Sequence, residues 1–306
     1  MPADANAISV TVDIEDWYHI PSVTGSPFSR YRDVDHFFRE WGSRRYDYLT
    51  GPTQRVLRLL RDRGIRATFF VVADVVDHYP GLVQAIAADG HEIACHGLHH
   101  ACKIDPKTKR PLMSPGEFER RTRAAKEALE RASGRPIVGY RAPSAYVAGW
   151  MMDVLERIGF QYDSSICANS LYNKTDGSTA SIPTSPYYMA PGGLGPANGC
   201  GRRALIEHPW PRLEVAGLRL PAAGGPMLRF LGARYIEAGL GQSLARGGSL
   251  FYFHPIDLSP EKFPGSFSVK RPFYWMIKGG VVEKRVGAIL DDYQGRYVEL
   301  YKRKSL

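Results

Sequence analysis

Cysteine and long apolar runs are both scarce in this chain. Its 306 residues include four cysteines and no C-x-x-C pair, which excludes a disulfide-stapled scaffold and favours reduced thiols. No apolar run approaches the roughly 18 residues that a transmembrane helix needs. The first residues have neither the basic start nor the apolar centre of a signal peptide. We therefore expect a cytoplasmic protein with no transmembrane segment.

The length and composition are those of one large globular domain. Apolar residues make up 44% of the chain and charged residues 23%, both ordinary values for a protein with a large core. The net charge of +9 favours anionic partners, such as a polyanionic glycan, a lipid-linked phosphate or a membrane surface. No nucleic-acid-binding motif accompanies this charge, so we expect no nucleic-acid partner.

Strands alternate with helices along much of the chain, which indicates an α/β protein with a parallel sheet. The Gly- and Pro-rich segment 169–226 predicts long loops. The tail at 281–300 predicts a final helix and strand. The patterns predict buried strands at 8–12, 67–72, 91–95, 138–141, 160–163 and 249–253, and helices at 55–63, 80–88, 115–132 and 150–158.

Acids and histidines follow two of these strands. Asp13, Glu15 and Asp16 come after the first strand, and His96 and His100 come after the third. In β/α barrels, active-site residues gather at the carboxyl ends of the strands. Two imidazoles and one carboxylate can hold a divalent metal ion, while a second carboxylate can act as a general base on water. This combination favours hydrolysis.

Two further polar residues stand at predicted strand ends. Arg141 can pair with a carboxylate and fix its orientation and charge state. His254 follows the apolar run at 250–253 and can serve as a general acid for a leaving group.

Five motifs in order resemble those of the polysaccharide deacetylases, carbohydrate esterase family 4. They extend over about residues 8–260, which is most of the chain. The motifs are Thr-Val-Asp-Ile-Glu-Asp at 11–16, His-Gly-Leu-His-His at 96–100, Tyr-Arg-Ala-Pro at 140–143, Tyr-Asp-Ser-Ser at 162–165 and Phe-His-Pro at 253–255.

The resemblance implies a distorted (β/α)7 barrel with a Gly- and Pro-rich loop insert. It implies one catalytic domain over residues 1–306, with a core at about 8–260 and a C-terminal extension at 261–306. It also implies a divalent metal ion, usually Zn²⁺, and hydrolysis of an N-acetyl group from an amino sugar.

The motifs also imply a role for each matching residue. By this resemblance Asp13 is the catalytic base, Arg141 orients it, and His254 is the catalytic acid. His96 and His100 are metal ligands.

The third metal ligand stays open between Glu15 and Asp16. Family members place the metal carboxylate directly after the base, where this chain has Ile14. The Asp-x-Glu-Asp-Trp form resembles a branch with peptidoglycan-deacetylase-like and imide- or ureide-hydrolysing enzymes. It also resembles members encoded with bacterial exopolysaccharide genes.

The expected substrate is an N-acetylated sugar or glycan, anionic or lipid-linked, in a bacterial polysaccharide or its precursor. Two alternatives stay open on the same fold: a hydrolase of a small cyclic imide, ureide or formamide, and a catalytically idle carbohydrate-binding protein. The residues expected to contact substrate are Trp17, Pro143, Tyr146, Asp163 and Trp210.

Overall fold

The computed structural model describes residues 7–41, 46–198, 201–263, 276–294 and 296–302. Cys200 and part of the predicted C-terminal extension, at 264–275, 295 and 303–306, lie outside the described residues. The other three cysteines are buried free thiols. No helix in the described ranges is long and apolar enough to cross a membrane.

Ten strands and ten helices are present in the described residues. The strands are β1 Ile8–Ile14, β2 Thr68–Val71, β3 Glu92–Cys95, β4 Gly139–Tyr140, β5 Tyr162–Asp163, β6 Tyr187–Tyr188, β7 Ile206–Glu207, β8 Arg212–Val215, β9 Leu218–Pro221 and β10 Ser249–Phe253. The helices are α1 Val34–Trp41, α2 Thr50–Arg61, α3 Val75–His78, α4 Leu82–Ala88, α5 Pro115–Ser133, α6 Gly149–Arg157, α7 Pro226–Leu231, α8 Ala233–Leu244, α9 Pro255–Leu258 and α10 Gly280–Asp292.

One curled sheet carries the fold. Its strand order is β10-β1-β2-β3-β4-β5-β7-β6. The first seven strands in this order are parallel, and β6 adds to β7 antiparallel at the edge. All strands from β10 to β7 therefore direct their carboxyl ends to the same rim, as in a β/α barrel. The predicted α/β class and (β/α)7 architecture are confirmed.

Helix α5 shows how local sequence sets an element. The Ser114 hydroxyl accepts a hydrogen bond from Glu117 N at 3.1 Å, Pro115 occupies the first turn, and Gly134 ends the helix with φ +67°. A serine cap, an early proline and a terminal left-handed glycine are standard boundary signals. The predicted helix at 115–132 is confirmed.

The segment at 169–226 contains more regular structure than its composition predicts. It holds β6, β7 and the antiparallel hairpin β8–β9. The hairpin turns at Ala216 and Gly217, both with positive φ. Gly224 then lies against β10, where an added Cβ would stand 1.8 Å from Tyr252 O. Only glycine permits this close approach, which brings the segment to the edge of the sheet.

The C-terminal residues pack on the same core. Helix α10 buries Val286 and Leu290, and Leu300 is buried with Phe70 and Tyr162 inside the sheet. The predicted final strand is absent from the described residues, where Tyr297 makes only an isolated bridge to Ile8. The domain boundary near residue 260 stays a prediction.

Candidate active site

Strand β1 delivers two carboxylates to one face. Side chains alternate along a strand, so Asp13 and Glu15 point into the cavity at the strand end, whereas Ile14 is buried in the core beneath the helices. The Asp-x-Glu spacing thus places both acids together. Alternation is a signal that the sequence alone contains.

The two histidines reach the same place by a bend at Gly97, which has φ +85°, and not by a helical turn. His96 Nε2 and His100 Nε2 each lie 3.0 Å from Glu15 Oε1. Their Nδ1 atoms lie 2.8 Å from two backbone carbonyl oxygens, Arg141 O and His19 O. A carbonyl only accepts, so each Nδ1 carries the proton and donates it.

The orientation of the two Nε2 atoms toward Glu15 favours a cation among the three side chains. With the protons on Nδ1, both Nε2 atoms direct lone pairs toward a carboxylate oxygen, and such acceptors repel unless a positive charge lies among them. One ligand atom from each of Glu15, His96 and His100 lies within 4.8 Å of the others. Backbone carbonyls that hold the distal imidazole nitrogen are typical of metal-binding histidines.

Asp16 lies apart from this triad. Its carboxylate accepts hydrogen bonds from Trp17 N at 2.7 Å and from the Tyr79 hydroxyl, and burial raises its pKa to about 6. Of the two acids left open as third ligand, the structure therefore brings Glu15 to the histidines. Asp16 caps the turn that follows β1.

Arg141 joins Asp13 to the sheet. Its Nη1 donates to Asp13 Oδ1 at 2.6 Å and to Thr11 Oγ1 at 3.0 Å. Its Nε and Nη2 donate to the carbonyl and hydroxyl oxygens of Ser164 at 2.9 and 3.0 Å. The guanidinium is fully buried, so these partners hold it in one orientation. Arg141 in turn fixes the Asp13 carboxylate.

His254 lies on the other side of the two acids. Its Nε2 is 3.6 Å from Glu15 Oε1 and 3.9 Å from Asp13 Oδ2. Its Nδ1 lies 2.9 Å from Asp257 Oδ2, and Asp257 pairs with buried Arg229 at 2.9 Å. The nitrogen that faces the cavity is therefore Nε2.

Neighbouring charges set the protonation state of His254. Burial acts to lower the pKa of His254, but the carboxylates of Asp257 and Glu15 outweigh it and raise that pKa well above its ordinary value.

Sequence reasoning missed Asp257 and Arg229. The signal for Asp257 was present: His254-Pro255-Ile256-Asp257 forms a capping box at the start of α9, with proline in the first turn. Arg229 comes from a distant helix, and its sequence neighbourhood does not indicate this pairing.

The acids, histidines and Arg141 line a cavity of about 370 Å³. Among the predicted substrate residues, Trp210 lines this cavity, and its Nε1 donates to Ser164 O at 2.9 Å. Its ring lies 4.5 Å from that of Tyr252, another lining residue.

The other four predicted substrate residues lie outside the lining. Trp17 packs against Phe37 in an aromatic cluster. Asp163 is fully buried and accepts from the Ser165 hydroxyl at 2.8 Å. Pro143 and Tyr146 lie in and after the turn that follows β4.

Two family models match the chain. Residues 46–162 match the model described as Polysaccharide deacetylase, and residues 178–300 match one described as Domain of unknown function (DUF3473). The first match includes His96, His100 and Arg141, and the second includes His254. Asp13 and Glu15 precede both.

Curated relatives match a little over a third of the chain. A chitooligosaccharide deacetylase of Rhizobium leguminosarum is 35% identical over 118 residues, which is 36% of this chain and 50% of that protein. The peptidoglycan-N-acetylmuramic acid deacetylase PdaA of Bacillus subtilis is 27% identical over 115 residues, 37% of this chain and 41% of that protein. The chain spans half or less of the length of these relatives.

Solved structures match over nearly the whole chain. A probable polysaccharide deacetylase from Pseudomonas aeruginosa has a TM-score of 0.56 at 16% identity, covering 97% of this chain and 88% of that one. PuuE allantoinase has a TM-score of 0.58 at 15% identity, covering 97% and 87%. At these low identities the TM-scores show a shared fold, the (β/α)7 barrel. The first family model shows that residues 46–162 of this chain are similar to the polysaccharide deacetylase family, and the solved structures show that the fold is shared.

Proposed function

We propose that this chain is a metal-dependent hydrolase that removes N-acetyl groups from an amino sugar of a bacterial polysaccharide or its precursor. The observation that carries the proposal is the triad in which His96 Nε2 and His100 Nε2 both face Glu15 Oε1 at 3.0 Å. Relatives named as deacetylases of chitooligosaccharides and of peptidoglycan support the substrate class.

Glu15, His96 and His100 would hold the metal ion, which we propose to be Zn²⁺. Two histidines and one glutamate are the protein ligands of several zinc hydrolases, and all three side chains are buried at the strand ends. Bound there, a divalent ion supplies Lewis acidity toward a carbonyl oxygen and increases the acidity of water.

Asp13 and His254 divide the proton transfers. Asp13 removes a proton from water, and the water oxygen forms a bond to the acetamide carbonyl carbon. The carbon–nitrogen bond then breaks, and His254 gives the proton on Nε2 to the departing nitrogen. Acetate and a free amine leave. The separation of 3.9 Å between His254 Nε2 and Asp13 Oδ2 supports a base and an acid that act on the same reacting group.

Arg141 keeps the base oriented through its 2.6 Å hydrogen bond to Asp13 Oδ1. The second oxygen of Asp13 lies on the side of His254. Trp210 and Tyr252 form an aromatic part of the cavity wall, where a sugar ring can stack.

An acetate-release screen tests this function. Protein supplied with Zn²⁺ is incubated separately with N-acetylated amino-sugar oligomers, peptidoglycan fragments and acidic exopolysaccharide. A cyclic ureide is included as the substrate of the alternative function. We expect acetate from at least one amino-sugar substrate, and loss of both metal and activity in His96→Ala. Turnover of the ureide alone would favour the small-amide alternative, which the fold shared with an allantoinase keeps open. No metal binding and no turnover would favour an idle binding protein.

A further inference from the structure

Two lysine ammonium groups lie over one tyrosine ring beside the cavity. Lys109 Nζ is 5.1 Å and Lys174 Nζ is 5.4 Å from the centroid of the Tyr146 ring. Lys174 Nζ also lies 5.3 Å from the centroid of Tyr172, and both Lys174 and Tyr172 line the cavity. Aromatic faces attract ammonium groups without neutralising their charge. The rings therefore position two positive charges at the site.

The backbone around these lysines is unusual. Lys109 has φ +60° and Ser144 has φ +55°, a backbone region that residues other than glycine rarely adopt. Lys109 N donates to Asp105 O at 2.9 Å and its Nζ donates to Pro106 O at 2.5 Å, while Lys174 Nζ donates to Ser144 O at 2.9 Å. Strained backbone that is held in this way concentrates at functional sites.

Among the described residues, neither ammonium group lies within ion-pair distance of a carboxylate. Within the described parts of the chain, Lys109 and Lys174 form no ion pair, and their hydrogen bonds go to the neutral carbonyl groups of Pro106 and Ser144. Burial lowers the pKa of both lysines, while the carboxylates of Asp105 and Glu15 act in the opposite direction on Lys109 and Lys174 respectively.

We propose that Lys109 and Lys174 bind carboxylate groups of an acidic glycan, so that the substrate is a polysaccharide with sugar acids beside its N-acetylated sugars. This inference rests on the proposed function, because it names the substrate class of the same site. A neutral glycan would leave both charges uncompensated. An anionic lipid surface offers the same charge, but the direct continuity of Lys174 and Tyr172 with the cavity favours a chain that enters the site.

The test compares two oligosaccharides of equal length. One alternates glucuronate with N-acetylglucosamine, and the other contains N-acetylglucosamine alone. Calorimetric titration at low salt gives their affinities for the wild type, for Lys109→Gln/Lys174→Gln, and for Lys109→Arg/Lys174→Arg. Lys284→Gln, at an exposed position on α10, is the matched control for loss of a lysine.

We expect the glutamine pair to weaken binding of the acidic oligosaccharide about 2- to 30-fold, the range given by two partly exposed charge pairs. The arginine pair and Lys284→Gln should bind it as the wild type does, because the charge at the site is kept. Added salt should weaken the wild type toward the glutamine variant.

Three results would overturn the inference. These are equal wild-type affinity for the acidic and neutral oligosaccharides, an unchanged affinity in the glutamine pair, and binding to phosphatidylglycerol vesicles without binding to the acidic glycan. Acetate release from the neutral oligomer, measured separately, distinguishes this failure from failure of the proposed hydrolase. Acidic-glycan binding without acetate release would support the binding role of the two lysines and remove the proposed function.

Discussion

Asp13→Asn separates the catalytic base from the metal triad. Asparagine keeps the shape of the side chain and an oxygen that can accept from Arg141 Nη1, now 2.6 Å from Asp13 Oδ1, but it cannot take a proton from water. General-base catalysis contributes about 10²- to 10⁴-fold to rates. We expect kcat to fall by that factor, about 3–5 kcal/mol in the barrier, with metal content unchanged.

The same substitution carries a cost in stability. Arg141 is fully buried and would lose its charged partner while keeping its hydrogen bonds to Ser164 and Thr11. Because the neutral amide still accepts one hydrogen bond, we expect a loss of about 1–3 kcal/mol, below the cost of an unpaired buried charge. Urea unfolding measures this loss.

Thr11→Val is the matched control, since it removes one hydrogen bond to Arg141 and leaves the carboxylate in place. We expect it to lower unfolding free energy by about 1 kcal/mol and to change kcat far less than Asp13→Asn. Acetate release and metal content are measured for both variants at equal Zn²⁺. Turnover near the wild-type rate in Asp13→Asn, or loss of metal in that variant, would refute the assignment of Asp13 as base.

Two other substitutions test charges around the site and beneath it. The Asp257 carboxylate pairs with His254 at 2.9 Å and raises the pKa of that histidine. Asp257→Asn removes this charge, so the alkaline loss of activity, which follows deprotonation of His254, should begin at lower pH. An unchanged pH–rate profile would exclude His254 as the acid. Burial raises the pKa of Glu92 to about 7, above its unfolded value, so its contribution to stability is present below the unfolded pKa and is lost as pH rises toward and through 7. Glu92→Gln should therefore stabilise the protein relative to the wild type at pH 8 more than at pH 5 in urea unfolding, and equal differences at both pH values would contradict this.

Much of the fold could be predicted because each main element has a local cause. The apolar run of β10 at Ser249–Phe253 and the capped helix at Pro115–Ser133 carry their boundaries in their own residues. The hairpin β8–β9 could not be predicted in this way, because its Ala216–Gly217 turn lacks the Asn-Gly or Asp-Gly pair that usually indicates such a turn. Strands of two residues, such as β7, depend on their neighbours in the sheet.

The candidate site divides along similar lines. The residues that match the family motifs lie at or shortly after strand ends, and the structure brings them to one cavity: Asp13, His96, His100, Arg141 and His254. Strand alternation could also have separated Glu15 from Asp16. The pairing of Arg229 with Asp257 and the positions of Lys109 and Lys174 depend on loops that meet only in the folded chain.

The metal content of two neighbouring variants tests the central claim most directly. Wild type, Glu15→Gln and Asp16→Asn are titrated with Zn²⁺, and bound metal is counted per chain after dialysis, with circular dichroism to confirm folding. We predict one Zn²⁺ per chain for the wild type and for Asp16→Asn, because Asp16 contacts Trp17 and Tyr79, and loss of tight binding in Glu15→Gln, whose carboxylate faces both histidines. Wild-type stoichiometry and affinity in folded Glu15→Gln would contradict the account.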